Sequence, residues 1–253
     1  MPHTLISPWI RFRRPSSKAR IRLLCFPYAG GGASIYRSWP HRFPEWVDVC
    51  PVQLPGREER IAEPAFSSAD ALCSALVPML SPLLDLPIAL FGHSMGASLA
   101  YETAIRVSGK VDLVHLFISS QRAPDRLFQG NRSNNLSSAE LQERLVALDG
   151  TPDRIIANSE LMNLLLPLFR ADFSVSENYH RDPLIRLLCD ISVFGGLDDI
   201  FNEGQLIEWH RAAAGKFDFS LFPGNHFFLR HNEAAVVEKI TRILAKVAWG
   251  DRN

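Results

Sequence analysis

A continuously apolar run, Pro87–Ile88–Ala89–Leu90–Phe91, leads straight into Gly92–His93–Ser94–Met95–Gly96, and a helical pattern takes over from Met95 to Val107. A strand that becomes a helix within five residues must reverse direction at once. The small residues on either side of Ser94 let the backbone turn that sharply and project the Ser94 side chain outward at the head of the helix. The same rhythm recurs along the chain. Ile21–Phe26, Val47–Val52, Leu113–Ile118, Cys189–Phe194 and Phe217–Phe222 read as short apolar strands, and Ser68–Leu84, 204–214 and 232–248 as helices. Apolar strands alternating with helices predict an α/β fold, a mostly parallel sheet covered on both faces.

One segment breaks the alternation. From Ala123 to Asp182 some 60 residues separate two strands, far more than a simple crossover needs. Amphipathic patterns at Ser138–Leu148 and Ser159–Phe169 mark it as an inserted helical subdomain, about 123–182, and insertions over the carboxyl edge of such a sheet form lids or substrate clefts. The length of 253 residues then fits one α/β domain over 20–248, with a short tail at 249–253. Residues 1–19 carry Pro, Ser and Arg without periodicity and are expected to be a poorly ordered basic leader outside the core.

The composition, 47% hydrophobic and 21% charged, is that of a soluble globular chain. A formal net charge of zero argues against a general nucleic-acid binder, but it hides an asymmetry. Eight cations, from Arg11 to Arg42, precede the first acidic residue, Glu45, and the remaining residues hold 19 basic and 27 acidic groups. No apolar run of signal-peptide or membrane-spanning length is present, so a cytoplasmic protein without a membrane partner is expected, and a monomer. Cys25, Cys50, Cys73 and Cys189 have neither C-x-x-C nor zinc-site spacing; buried reduced thiols are expected.

Gly92–His93–Ser94–Met95–Gly96 matches G-x-S-x-G in letters and in its strand-to-helix context, which makes Ser94 the candidate nucleophile. A serine hydroxyl needs a base to take its proton, and the base needs a carboxylate to orient it. Of eight histidines, His226 lies just beyond the final strand, in Pro223–Gly224–Asn225–His226, where a loop returns to the carboxyl edge; His231 is the next candidate. His93, adjacent to Ser94, is expected to pack behind the strand. Gly195–Gly196–Leu197–Asp198–Asp199 follows another strand, and the carboxylate is assigned to Asp198 first, Asp199 second and Asp125 third. A tetrahedral oxyanion needs two backbone donors. Met95, at the helix start, supplies one, and Ala29, in the loop Tyr28–Ala29–Gly30–Gly31 after the first strand, the other. That glycine loop lacks the Lys-Ser/Thr ending of a P-loop and the spacing of a dinucleotide site.

With these residues in place, the chain resembles the stand-alone type II thioesterases of polyketide synthase and nonribosomal peptide synthetase pathways, members of the α/β-hydrolase superfamily. The resemblance covers about residues 21–248. It rests on Phe26–Pro27–Tyr28–Ala29–Gly30–Gly31–Gly32, Gln53–Leu54–Pro55–Gly56–Arg57–Glu58–Glu59–Arg60, the Ser94 elbow, Leu164–Leu165–Leu166–Pro167 with Arg170–Ala171–Asp172–Phe173, and Pro223–Gly224–Asn225–His226–Phe227. It implies hydrolysis of acyl thioesters on the 4′-phosphopantetheine arm of acyl or peptidyl carrier proteins, without a cofactor or metal of the enzyme's own. It also implies that 123–182 is the lid over the acyl chamber. Asn225 stands where the family often has a second glycine. Arg57 and Arg60 are characteristic of the resemblance, but their chemistry points as readily to ion pairs or helix capping as to catalysis. A general carboxylesterase or lipase on the same fold, and a catalytically silent module that docks carrier protein or ligand, are the competing readings. Because carrier proteins are usually acidic, Arg11–Arg22 is expected to assist their encounter through long-range attraction.

Overall fold

A computed structural model describes residues 8–250. Six strands, β1 (Ile21–Phe26), β2 (Val47–Pro51), β3 (Ile88–His93), β4 (Leu113–Ser119), β5 (Asp190–Gly196) and β6 (Phe217–Phe222), form one sheet in the order β2-β1-β3-β4-β5-β6. Every neighbouring pair is parallel. β1, β2 and β3 are buried at each residue; they are mainly apolar, and the charged pair they bury, Arg22 of β1 and Asp48 of β2, is joined by a salt bridge at 2.9 Å. The alternation of side chains along β1 divides two cores. Leu24 and Phe26 join Leu90, Met95, Leu99 and Trp209 on one face, and Leu23 and Cys25 join Trp39, Phe91, Phe117 and Ile240 on the other.

Among the described residues, eight α-helices surround the sheet: α1 (Trp39–Arg42), α2 (Ala69–Leu76), α3 (Met95–Val107), α4 (Ser138–Leu148), α5 (Asp153–Ile156), α6 (Ser159–Asn178), α7 (Glu203–Ile207) and α8 (Glu233–Trp249). Two of the expected helices are cut short. Pro78 and Pro82 lack the N–H an α-helix needs, so α2 gives way to a 3-10 segment at Val77–Leu83, and α7 passes into another at Glu208–Ala212. The helix expected to end at Phe169 continues to Asn178, through Pro167. Within the inserted segment, Leu141 and Leu145 of α4 pack with Met162, Leu166 and Phe169 of α6 in a separate small core. No described helix is long and apolar enough to cross a membrane. The four cysteines are buried and not bonded to one another.

The leader is a correction. Residues 1–7 lie outside the described residues, but 8–19 do not stand apart from the core as expected: Trp9 and Ile10 are buried and join the face that holds Leu24. Residues 9–11 run antiparallel past the carboxyl end of β2, the sheet's edge. Ile10 bridges Val52, the Gln53 N–H donates to the Trp9 carbonyl at 2.8 Å, and the Arg11 N–H to that of Pro51 at 3.1 Å. Arg13 makes a fork with buried Asp48, which also pairs with Arg22, and Lys18 meets Glu45. Several cations at the start of the chain are thus matched by carboxylates later in it. The bonds from Arg11 and to Trp9 pair backbone groups at and just past the end of the edge strand.

Candidate active site

At the carboxyl end of β3 the chain makes the turn that the Gly92–Gly96 motif calls for. Ser94 has φ +54° and ψ −122°, a conformation a non-glycine residue holds only when its surroundings enforce it. They do so here. A Cβ on Gly92 would run into the Gly96 carbonyl, and one on Gly96 into the carbonyl of Phe26, so both positions admit only hydrogen. The Ser94 N–H donates to the Ser119 carbonyl at 2.8 Å, and its carbonyl accepts from Ala97 N at 2.9 Å and Gln121 Nε2 at 3.2 Å.

His226 comes from the loop after β6, and its Nε2 lies 3.0 Å from Ser94 Oγ. Its Nδ1 lies 2.8 Å from Asp199 Oδ1, not from Asp198, which corrects the first choice of carboxylate. The reason is where the turn falls. Past the end of β5, the Leu197 and Asp198 N–H groups still bond to the Phe222 and Gly224 carbonyls, and the chain folds back only at Asp199, whose N–H reaches the Gly196 carbonyl at 3.3 Å. Asp198 is left exposed. The Asp199 side chain is fully buried and also accepts from Ser120 Oγ at 2.5 Å and Phe201 N at 3.3 Å. Burial pushes its pKa up, but the bonds from His226 and Ser120 outweigh this and hold it below the usual aspartate value. An ionised Asp199 can only accept, so His226 carries its proton on Nδ1 and turns the lone pair of Nε2 toward the serine hydroxyl.

The other candidates stand elsewhere. Asp125 is paired with Arg211, and His231 is exposed. His93 is wholly buried, its Nδ1 2.8 Å from Ser119 Oγ and its ring 5.4 Å from that of His226. Burial, with the His226 charge adding to it, brings the His93 pKa down to about 3, so it packs beneath the site as a neutral ring.

Met95 opens α3, where an N–H has no acceptor within the helix. Ala29 lines the same cavity as Ser94 and His226, together with Tyr28, Leu145, Leu148, Gly150, Thr151, Phe173 and Phe227. The space is small, about 30 Å³, room for one or two waters. Four of its walls, Leu145, Leu148, Gly150 and Thr151, belong to α4 and the turn after it, and Phe173 to α6. Among the described residues no cluster of His, Cys, Asp and Glu is arranged to hold a metal ion. Sequence reasoning gave no role to Ser120, Gln121 or Asp172, although Asp172 stands in one of the blocks that carry the resemblance. All three act across long separations in the chain, Ser120 on Asp199, Gln121 on Ser176 and Asp172 on Gly30, which spacing does not reveal.

A strained serine at a strand-to-helix turn, a histidine and an aspartate from later strand ends, and helices across the carboxyl edge define an α/β-hydrolase. Within that class the chain belongs to the thioesterase family: the thioesterase domain family model matches residues 21–244. The chain is 36% identical over 245 residues to the gramicidin S biosynthesis protein GrsT of Aneurinibacillus migulanus, covering 96% of each. Among solved structures it is similar to the type II thioesterase BorB from the borrelidin biosynthetic cluster, with 36% identity, a TM-score of 0.85 and coverage of 93% of this chain and 97% of that one. It is likewise similar to RedJ, a thioesterase of the prodiginine pathway in Streptomyces coelicolor, with 34% identity, a TM-score of 0.83 and coverage of 90% and 88%.

Proposed function

We propose that this protein hydrolyses acyl groups from the 4′-phosphopantetheine arm of carrier proteins in a polyketide or nonribosomal peptide assembly line, clearing stalled or aberrant chains. The reading is carried by one observation, the imidazole of His226 standing between Ser94 Oγ at 3.0 Å and Asp199 Oδ1 at 2.8 Å. Membership of the thioesterase family and likeness to GrsT and BorB support the substrate class. In this reading the pantetheine arm belongs to the partner protein, and the chemistry draws on the chain's own side chains.

Ser94 Oγ attacks the thioester carbonyl while His226 Nε2 takes its proton, and the resulting oxyanion accepts from the Met95 and Ala29 N–H groups. The intermediate collapses with loss of the pantetheine thiolate, which takes the proton from His226, and leaves an acyl ester on Ser94. Water, deprotonated by His226, then adds to that ester; the second intermediate collapses, the free acid leaves, and His226 returns its proton to Ser94 Oγ. A thiolate leaves readily, so acid assistance counts for less than in amide cleavage. Asp199 keeps Nδ1 protonated and balances the imidazolium formed in each half-reaction. The cavity beside Ser94 is narrow, and α4 with the turn after it supplies four of its walls, so these are the elements that bound the acyl chain in this reading.

The test is intact-mass analysis of carrier proteins loaded with a panel of acyl groups, with simple oxygen esters alongside. Wild-type protein is expected to unload the carrier faster than it cleaves the oxygen esters. Ser94→Ala is expected to stay folded and lose activity by about 10⁴-fold or more. Near wild-type turnover by Ser94→Ala would overturn the mechanism, and preference for oxygen esters would favour a general esterase.

A further inference from the structure

Arg57 and Asp172 lie 115 positions apart and meet in a buried fork, Nη1 to Oδ2 at 2.6 Å and Nη2 to Oδ1 at 2.9 Å. Their side chains are 3% and 1% exposed. A desolvated ion pair adds little net stability over apolar side chains of the same shape, so what the pair holds matters more than what it stabilises. Asp172 Oδ2 also accepts from the Gly30 N–H at 2.7 Å. Arg57 Nη1 donates to the Gly31 carbonyl at 3.3 Å, and Nε to that of Pro55 at 3.0 Å. The pair therefore grips two successive residues of the loop after β1. Gly30 has φ +76°, and a Cβ there would run into the ring of Phe169, so the loop is also seated against α6.

Within this turn the Gly30 N–H is committed to Asp172 and the Gly31 N–H to the Tyr28 carbonyl at 2.9 Å. Ala29, whose N–H neither bond uses, lines the Ser94 cavity beside Tyr28. α6 reaches the nucleophile as well. One turn beyond Asp172, Ser176 Oγ accepts from Gln121 Nε2 at 2.9 Å, and the same amide group reaches the Ser94 carbonyl at 3.2 Å. Between them, Phe173 forms part of the cavity wall.

We propose that Arg57 and Asp172 are a positioning pair that holds the Tyr28–Gly31 turn so that the Ala29 N–H meets the oxyanion, and that α6 thereby ties the lid to transition-state stabilisation. The proposal deepens the reading of Ser94 as an acyl-transfer nucleophile and rests on it. Asp172→Asn keeps the shape but gives up the carboxylate that Gly30 and Arg57 share. Its kcat on an acyl-pantetheine thioester is expected to fall about 10- to 100-fold, less than the loss of a whole oxyanion donor, with KM changing less than about twofold. The Ki of an alkylboronic acid, whose tetrahedral Ser94 adduct sets an oxygen where the oxyanion forms, is expected to rise by the same factor. The pH profile of kcat/KM should stay in place, because His226 and Asp199 are untouched.

A purely structural role would lower the melting temperature and the fraction of sites titrated by a fluorophosphonate, yet leave kcat per titrated site and the boronate Ki as they were. That result overturns the proposal. Arg57→Met combined with Asp172→Leu removes both charges and guards against an unpaired buried arginine that blocks folding; a folded double variant should show the same losses, and wild-type constants in it overturn the proposal too. Failure of wild-type protein to hydrolyse the thioester would instead overturn the function on which the proposal rests.

Discussion

At the carboxyl edge of the sheet, Ser94, Asp199 and His226 are fixed by backbone hydrogen bonds and by contacts too close to admit one more carbon; above them, α4–α6 are held by a small core of their own and a few buried carboxylates. Gly92, Gly96 and Gly196 all face backbone carbonyls at that edge, and backbone cannot yield without moving a strand. In the lid, Glu177 accepts from the Ser133 N–H and hydroxyl and pairs with Arg144, while Tyr179 and Arg181, just past α6, meet Glu102 of α3. At Gly150 the nearest atoms are those of the Phe227 ring, a side chain and not backbone. The contrast teaches that the reacting groups and the access to them are separately adjustable: the sheet sets the first, and a handful of side chains the second.

The sharpest test at the edge compares neighbours. Asp199→Asn keeps the shape but removes the charge that sets the His226 tautomer, and kcat is expected to fall about 10³- to 10⁴-fold. Asp198→Asn, on an exposed side chain, should change kcat less than about twofold. Release of free thiol from an acyl-pantetheine substrate measures both, and comparable losses in the two variants would break the assignment.

One substitution made in both regions comes next. Gly96→Ala drives a methyl into the Phe26 carbonyl and is expected to cost about 4 kcal/mol or more, in the range where folding itself fails. Gly150→Ala meets a ring that can turn, so a cost of about 1–2 kcal/mol is expected. Urea midpoints check the order, and equal costs would mean that the lid is as rigid as the sheet. Trimming the cavity wall should act on selectivity instead. Phe173→Ala is expected to raise kcat/KM for octanoyl over acetyl thioesters by about 10-fold, the range that a change of a few carbons in an apolar pocket commands. An unchanged ratio would remove Phe173 from the acyl path.

What the sequence made legible follows the same division. The elbow is local, with strand, glycines, serine and helix lying within twenty residues, and so its geometry could be read directly. His226 followed from the rule that a loop after a final parallel strand returns to the carboxyl edge. Asp199 was misread by one position because the hydrogen bonds from Leu197 and Asp198 to the chain after β6 delay the turn, and no local pattern encodes them. The curtailed α2 was announced by Pro78 and Pro82 and could have been foreseen. Arg57–Asp172 and Arg13–Asp48 join positions far apart in the chain, so spacing could not pair them. The leader failed for a related reason. Two apolar residues, Trp9 and Ile10, carry no period, yet together with Arg13 they anchor a stretch against β2 and the residues just past it.

The smallest effect separates the two regions by acid. His115, on β4, is buried with its ring stacked on Phe117 at 4.2 Å, its Nε2 2.9 Å from Ser192 Oγ and its Nδ1 without a partner among the described residues. Burial lowers its pKa to about 4, although the charges of Asp190 and Asp218 pull upward. In the unfolded chain the same ring titrates near the ordinary value of about 6.5. Between these two values the unfolded state binds a proton that the folded state refuses. The stability contributed by the neutral ring is therefore fully present above pH 6.5 and is lost as pH falls toward 4, at up to about 1.4 kcal/mol per pH unit. His93 on β3 acts in the same sense, but it touches the site and cannot be changed cleanly. His115→Phe keeps an aromatic ring against Phe117 and removes the proton-binding group. Its unfolding free energy, followed by urea titration from pH 6.5 to 4.5, should fall less steeply than that of wild type by about that slope. An unchanged slope would remove His115 from the acid response.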